Sequence, residues 1–139
     1  LVVQAMARDA GFDVKIQATE FATSLNLADK GDFDAYVLAW SGRADPDGNI
    51  FSFVGCKQPL NYAGICSPEI DGALEQARTQ RELADRRKAY EKVAAAVMKE
   101  RPIVYLYHRN WLWAYNAKLG GLRQVPDGLL RVQGLKLGP

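Results

Sequence analysis

Long apolar runs and histidine are both scarce in this sequence of 139 residues, which contains one histidine. The longest apolar runs are about six residues, whereas a membrane-spanning helix needs roughly 20. Charge of one sign is also lacking, because 18 Lys and Arg face 16 Asp and Glu for a net charge of +2. That excess is too small to favour a nucleic-acid partner. With 48% hydrophobic and 24% charged residues, the chain has the composition of a folded globular protein.

The two cysteines, Cys56 and Cys66, flank a segment that contains proline, asparagine and glycine, so the chain can double back between them. A disulfide here would close a loop of about 11 residues and contribute roughly 2.8 kcal/mol in the chain-entropy model. Two buried free thiols and half of a zinc site are the alternatives. A zinc site has little support, because His108 is the sole histidine and no Cys-x-x-Cys occurs.

No catalytic or cofactor motif is complete. Asp45-Pro46-Asp47-Gly48 resembles the Asp-x-Asp-Gly of phosphoryl-transferring enzymes, but four residues separate it from Trp40, where the preceding strand is predicted to end. A calcium loop would need a glycine and a glutamate where this chain has Ile50 and Cys56. His108 has no nucleophile in a recognisable motif, and no phosphate-binding glycine loop is present. The sequence predicts neither catalysis nor a cofactor or metal.

Hydrophobic periodicity predicts an α/β order in the first half of the chain. Residues 1–10 have the pattern of a helix closed by Gly11, and residues 13–19 alternate as a half-buried strand does. A helix over about 20–30 and a buried strand over 35–40 follow, an order that predicts parallel crossovers. The long connection from Ser41 to Cys66 is predicted to have little regular structure.

Helix signals dominate the second half. Ser67-Pro68 is a typical helix start, with Ile70, Leu74 and Ala77 as the predicted buried stripe. The capping-box pattern Thr79 to Glu82 predicts the start of the longest helix, which extends to about Arg101. Its predicted apolar face consists of Leu83, Tyr90, Val93, Ala94, Val97 and Met98. Further strands are predicted at 103–107, 111–115 and 129–132.

A candidate ligand site follows the strand predicted to end in Trp40. Its loop carries the polar or small residues Ser41, Gly42, Arg43, Asp45 and Asn49. In α/β proteins ligands bind at the carboxyl ends of strands, and a glycine there lets a ligand backbone approach. An ordinary surface turn formed by Asp-Pro-Asp-Gly-Asn is equally compatible with the spacing.

An ordered series of segments resembles the C-terminal lobe of solute-binding protein family 5, the dipeptide-, oligopeptide- and nickel-binding proteins of ABC importers. The segments are Trp40, Asp45-Pro46-Asp47, Phe51-Ser52-Phe53, Asn61-Tyr62-Ala63-Gly64, Ser67-Pro68-Glu69-Ile70-Asp71 and Pro102 to Tyr107. The resemblance implies an α/β lobe of the periplasmic-binding-protein type II-like class, with a mixed or parallel sheet flanked by helices. It implies that residues 1–108 form the ligand-binding lobe and that 109–139 return to the first lobe of a several-fold longer protein.

The resemblance further implies a non-enzymatic, extracytoplasmic protein that closes two lobes over a short peptide or similar small polar solute. Such a protein delivers its ligand to an ABC permease, with a hinge near Tyr107–Arg109. A nickel ligand is less favoured, because no cluster of metal-ligating residues is evident. In an isolated fragment, exposed aromatics of the C-terminal segment would favour self-association. A sensor or chaperone role for the same lobe is a further alternative.

A rival hypothesis is a cytosolic α/β signalling or phosphoryl-transfer domain that uses Asp34 or Asp45. The state of the cysteines distinguishes the two, because disulfides persist in oxidising compartments. Members of the resembling family often hold a disulfide where Cys56 and Cys66 stand. The resemblance therefore implies a bridge and a periplasmic location.

One residue departs from the family pattern. In peptide-binding relatives the third residue after the tryptophan is an aspartate that pairs with the ligand's free amine, and here it is Arg43. A guanidinium suits carboxylate or phosphate and repels ammonium. Arg43 could bind an acidic ligand group, or Asp45 could receive the amine instead. The favoured structural interpretation is that Arg43 pairs with Asp45 or Asp47 and orders the loop.

Overall fold

The computed structural model describes residues 1–125 and 127–138, which contain five α-helices and one two-stranded antiparallel sheet. The helices are α1 Val2–Asp9, α2 Phe21–Lys30, α3 Asp47–Val54, α4 Pro68–Thr79 and α5 Leu83–Glu100. The strands are β1 Leu119–Gly120 and β2 Lys136–Leu137. The chain divides into two compact units, residues 1–37 and residues 38–139.

The first unit contains α1 and α2, both predicted from the sequence. Gly11, with φ +89°, follows α1 in the left-handed conformation that glycine adopts without steric cost. The Glu20 carboxylate accepts a hydrogen bond from the Thr23 amide at 3.1 Å and caps α2, which ends at Gly31 in the same left-handed region. Ala28 is the single buried residue of this unit.

The strand predictions for 13–19, 35–40, 103–107, 111–115 and 129–132 are wrong for the described residues. The described residues form a mixed α/β structure, in which one ladder joins β1 to β2. An extended segment becomes a strand only when a neighbour satisfies its backbone donors and acceptors. Within the described part of the chain the predicted strands have no such neighbour, and many of their apolar side chains stay exposed, as with Val104 at 77% and Leu112 at 90%.

The core of the second unit lies between α3, α4 and α5. Ser67 caps α4, Pro68 occupies its first turn, and the predicted stripe is confirmed because Ile70, Leu74 and Ala77 are each 0% exposed. Burying one such Leu or Ile side chain stabilises the fold by about 1.5–3 kcal/mol.

The buried face of α5 differs from the predicted one. Its buried residues are Ala89, Val93, Ala96 and Val97, a spacing of i, i+4, i+7 and i+8 that defines a single helical stripe. Leu83 and Met98 lie off this stripe and are 82% and 62% exposed. The prediction was correct for Val93 and Val97, was wrong for the exposed Ala94, and missed Ala89 and Ala96. The buried stripe is rotated about the helix axis relative to the predicted face, because packing against α4 selects the buried side.

The capping box predicted at Thr79 is also wrong. Thr79 is the last residue of α4, and its hydroxyl donates to the Gln76 carbonyl at 2.9 Å. Glu82 is the residue before α5 and makes no side-chain cap. Because α4 is packed into the core as far as Ala77, the chain at Thr79 is still helical and cannot begin the next helix.

The connection from Ser41 to Cys66 contains α3, which the sequence prediction missed. The Asp45 carboxylate accepts the Asp47 amide at 2.8 Å, and the Asn49 amide donates to the Pro46 carbonyl at 3.0 Å. With these hydrogen bonds, the Asp-Pro-Asp-Gly segment forms the first turn of a helix rather than an isolated turn. The helix then buries Val54 completely and packs its aromatic side chains against α4.

The disulfide between Cys56 and Cys66 is present, which confirms that prediction and rules out the free thiols and the half zinc site. The Asp71 carboxylate in α4 accepts the Cys56 amide at 2.9 Å. The Asn61 side chain donates to the carbonyls of Gly55 and Ile65 at 2.8 and 2.7 Å. The bridged loop is therefore attached to the first turn of α4.

Candidate functional site

Asn49 organises the loop that was predicted to contact ligand. Its Oδ1 accepts hydrogen bonds from the Trp40 indole at 3.2 Å and from the Arg43 amide at 2.6 Å. Its Nδ2 donates to the carbonyls of Arg43 and Asp45 at 2.8 and 2.9 Å. One amide side chain at the start of α3 thus joins both ends of the loop from Trp40 to Asn49 and holds it in one conformation.

Trp40 forms a half-exposed aromatic surface at the beginning of this loop. Its ring meets Phe53 edge to face, with centroids 5.0 Å apart, a favoured aromatic geometry. The Arg43 guanidinium carbon lies 4.4 Å from the centre of the same ring, within the range of a cation–π interaction. The indole remains 42% exposed, so part of its surface is accessible to a ligand.

Arg43 is exposed, and its contacts differ from the favoured sequence interpretation. Its Nη1 donates to Ser41 Oγ at 3.2 Å and to the Gly42 carbonyl at 2.8 Å. Among the described residues it forms no ion pair with Asp45 or Asp47, so the predicted pairing is wrong. Gly42 has φ +80°, which a residue with a side chain rarely adopts. This conformation turns its carbonyl toward the guanidinium.

The two aspartates instead pair with arginines from distant helices. Arg86 of α5 donates two hydrogen bonds to Asp45, Nη1 to Oδ2 at 2.8 Å and Nη2 to Oδ1 at 2.7 Å. Arg78 of α4 has its Nε 3.2 Å from Asp47 Oδ1, an ion pair without hydrogen-bond alignment. The hydrogen bonds from Arg86 lower the pKa of the Asp45 carboxyl, helped by the amide of Asp47. Both oxygens of Asp45 are therefore engaged by the protein itself.

Sequence reasoning did not identify Arg78 and Arg86 as part of the site. Arg86 lies 41 residues from Asp45 in the sequence. No local pattern links the two, because the contact depends on how α5 packs beside the loop. Arg78 also places its guanidinium 4.1 Å from the centre of the Phe51 ring, which adds a second contact between α4 and α3.

A third ion pair lies within electrostatic range of Arg43. The Asp127 carboxylate pairs with Arg131. The pKa of Asp127 is lowered chiefly by the backbone amide of Leu129, then by Arg131, and also by the charge of Arg43. The segment after residue 125 thus adds one more compensated carboxylate to the surroundings of the loop.

The described residues contain no group of three or more His, Cys, Asp or Glu side chains that could hold a metal ion. Within the same part of the chain, no helix is long and apolar enough to cross a membrane.

Comparison with known proteins identifies relatives of one kind. The chain is 29% identical to the oligopeptide-binding protein AppA of Bacillus subtilis, over 91% of this chain and 24% of AppA. It is 28% identical to the peptide transport periplasmic protein SapA of Haemophilus influenzae, over 87% of this chain and 22% of SapA. It is 24% identical to the periplasmic murein peptide-binding protein MppA of Escherichia coli, over 78% of this chain. No family model and no solved structure matches the chain.

The resemblance drawn from the sequence motifs is confirmed by these relatives. Proteins at 24–34% identity over most of the chain are named as peptide-binding or peptide transport proteins, several of them periplasmic, in agreement with solute-binding protein family 5. The chain spans about a quarter of the length of AppA and SapA, at 24% and 22%.

Proposed function

We propose that this chain is part of the extracytoplasmic solute-binding component of an ABC importer. It would form one lobe of a periplasmic-binding-protein type II-like fold and bind a short peptide or similar small polar solute in a cleft with a second lobe. The names of the relatives support this proposal, because AppA is an oligopeptide-binding protein and SapA a peptide transport protein. The relatives are transport binding proteins rather than enzymes.

The observation that carries the proposal is the conformation of the loop around Asn49. Four hydrogen bonds from one side chain hold the loop while Trp40 and Arg43 keep exposed surface. A prearranged aromatic wall with a few polar groups is typical of a small-ligand site, because binding then costs little ordering entropy. In this proposal Trp40 is the apolar wall. The polar contacts are Ser41, Gly42, Arg43, Asp45 and Asn49.

The disulfide supports an oxidising compartment. A bridge between Cys56 and Cys66 is expected in the periplasm and is unusual in the cytosol. The rival phosphoryl-transfer hypothesis has less support, because Asp45 would have to release Arg86 before it could act as a nucleophile or metal ligand.

The domain prediction belongs to the same proposal. Residues 1–108 would form the ligand-binding lobe, and 109–139 would return toward the first lobe through a hinge near Tyr107–Arg109. Trp111 and Trp113 are 41% and 42% exposed, as expected for a segment that finds its partner elsewhere in a longer protein. Closure over the ligand would then present the protein to the permease.

Native mass spectrometry of the full-length protein, purified from the periplasm without refolding, tests the proposal. We expect a small extra mass that is lost on denaturation and that corresponds to a peptide or another polar solute. A ligand-free protein that also binds no member of a peptide library would contradict peptide transport.

A further inference from the structure

We propose that Arg43 is a carboxylate-binding contact, so that the site selects ligands that place a carboxylate rather than an ammonium group beside Trp40. This inference rests on the proposed function, because it assigns a ligand chemistry to the same loop. Two observations support it: the ion pairs of the charged residues around the loop, and the guanidinium donors of Arg43 that form no hydrogen bond with a described residue.

Three carboxylates in or near the loop are each paired with an arginine. The pairs are Asp45 with Arg86, Asp47 with Arg78, and Asp127 with Arg131. Arg43 is a fourth arginine, and it has no carboxylate within ion-pair distance among the described residues. Among these three carboxylates and four arginines, one positive charge therefore has no ion-pair partner, and it is located on Arg43.

The donors of Arg43 are divided between the protein and the solvent. Its Nη1 is used by Ser41 Oγ and the Gly42 carbonyl. Its Nε and Nη2 donate to no described residue. These two groups point in parallel along one edge of the guanidinium, which matches the two oxygens of a carboxylate. The contact with Trp40 at 4.4 Å and the bonds through Nη1 restrict the orientation of that edge.

An ammonium group has no comparable partner here. It would meet the positive charge of Arg43, and the nearest acceptors on Asp45 are held by two hydrogen bonds from Arg86. A carboxylate could come from a peptide C-terminus or from an acidic side chain. Both sources offer the same planar pair of oxygens, and a peptide series distinguishes them.

The test is isothermal titration of the full-length protein with four peptides: tri-alanine, its C-terminal amide, Ala-Glu-Ala amide and Ala-Gln-Ala amide. We expect tri-alanine to bind roughly 10- to 100-fold more tightly than its amide if the C-terminus is the source. If Ala-Glu-Ala amide binds more tightly than Ala-Gln-Ala amide, the carboxylate that Arg43 binds comes from an acidic side chain instead.

The variant Arg43→Gln should remove this discrimination, because glutamine keeps a polar side chain without the charge. We expect Arg43→Gln to weaken binding of the peptide that carries the recognised carboxylate roughly 10- to 100-fold. The affinity for tri-alanine amide should change by less than about threefold. Arg43→Asp should shift preference toward peptides with a free amine. The matched control is Arg81→Gln, which removes an exposed arginine that forms no ion pair with any described residue. We expect this control to change the affinity for neither peptide.

Two failures remain distinguishable. Equal binding of tri-alanine and its amide, together with equal binding of the glutamate and glutamine peptides, all unchanged by Arg43→Gln, would overturn the role of Arg43 and leave the solute-binding function standing. Binding of no peptide by a protein that unfolds cooperatively would overturn the proposed peptide function, and the inference with it.

Discussion

The ion pair between Asp45 and Arg86 should measurably stabilise the candidate site, and a double-mutant cycle can isolate its contribution. Asp45→Asn removes the charge but keeps an acceptor for the Asp47 amide. Arg86→Met keeps an aliphatic side chain and removes the guanidinium, whose carbon lies 5.3 Å from the centre of the Tyr90 ring. The coupling free energy of the two substitutions then reports the pair rather than the loss of either side chain.

The expected coupling is about 1 kcal/mol. Opposite charges at about 4 Å interact by about 1 kcal/mol in water and about 4 kcal/mol at an effective dielectric constant of 20. The Arg86 and Asp45 side chains are 27% and 55% exposed, so solvent screens much of this attraction. Exposed pairs typically contribute 0.2–1 kcal/mol, and the two parallel hydrogen bonds place this pair at the upper end of that range.

The assay is native-state hydrogen exchange at the amides of α3 in the full-length protein, which reports the local opening free energy. A second cycle on Asp85 and Lys88 is the control, because these exposed residues are 4.0 Å apart on α5 itself. Coupling at Asp45 and Arg86 that does not exceed the control would refute the reasoning. So would coupling that is unchanged when NaCl is raised from about 0.05 to 1 M.

The same pair has a defined pH dependence. The folded-state pKa of Asp45 lies below its ordinary value of 3.8, chiefly because of the hydrogen bonds from Arg86. Because the pKa of Asp45 is depressed in the folded state, the contribution of the ion pair to stability is fully present at pH values above the ordinary pKa. It is lost as the pH falls through the folded-state pKa. Acidification should therefore reduce the local opening free energy of α3, measured by hydrogen exchange, more in the natural protein than in the variant Asp45→Asn.

Three further predictions concern the site wall, the core and the disulfide. Trp40→Ala should weaken ligand binding by about 1–3 kcal/mol without unfolding the protein, and unchanged affinity in titration would remove Trp40 from the site. Leu74→Ala should lower the free energy of unfolding by about 3 kcal/mol, whereas Leu83→Ala, at an exposed position, should cost less than about 0.5 kcal/mol in the same urea titration. Replacing both Cys56 and Cys66 by serine should cost about 2.8 kcal/mol in the chain-entropy model, and a loss below about 1 kcal/mol would show that the loop is held mainly by its hydrogen bonds.

Local signals predicted the helices well and the strands poorly. The Ser67-Pro68 start of α4 and its stripe depend on residues within a few positions, so the sequence contains all the information. The strand at 35–40 requires a partner that satisfies its backbone groups, and composition cannot show which segment that is. The helix α3 was missed because its start uses turn-forming residues, while its stability comes from packing Val54 and the aromatic residues against α4.

The sequence suggested which loop residues form the candidate site, but not the contacts that they make. The position of Trp40 before a polar loop, and the departure at Arg43, are both readable from the chain. The central role of Asn49 is not, since four hydrogen bonds converge on it only when the loop has folded.

The sequence by itself determined the helical segments α4 and α5, the disulfide candidates and the relationship to periplasmic peptide-binding proteins, because these depend on residue types and their spacing. Only the tertiary structure decided which arginine neutralises which aspartate. Arg86 and Arg78 reach the loop from α5 and α4, helices positioned by burial of their apolar faces rather than by charge. Arg43 consequently keeps its positive charge without a carboxylate partner among the described residues, a property that no local pattern in the chain encodes.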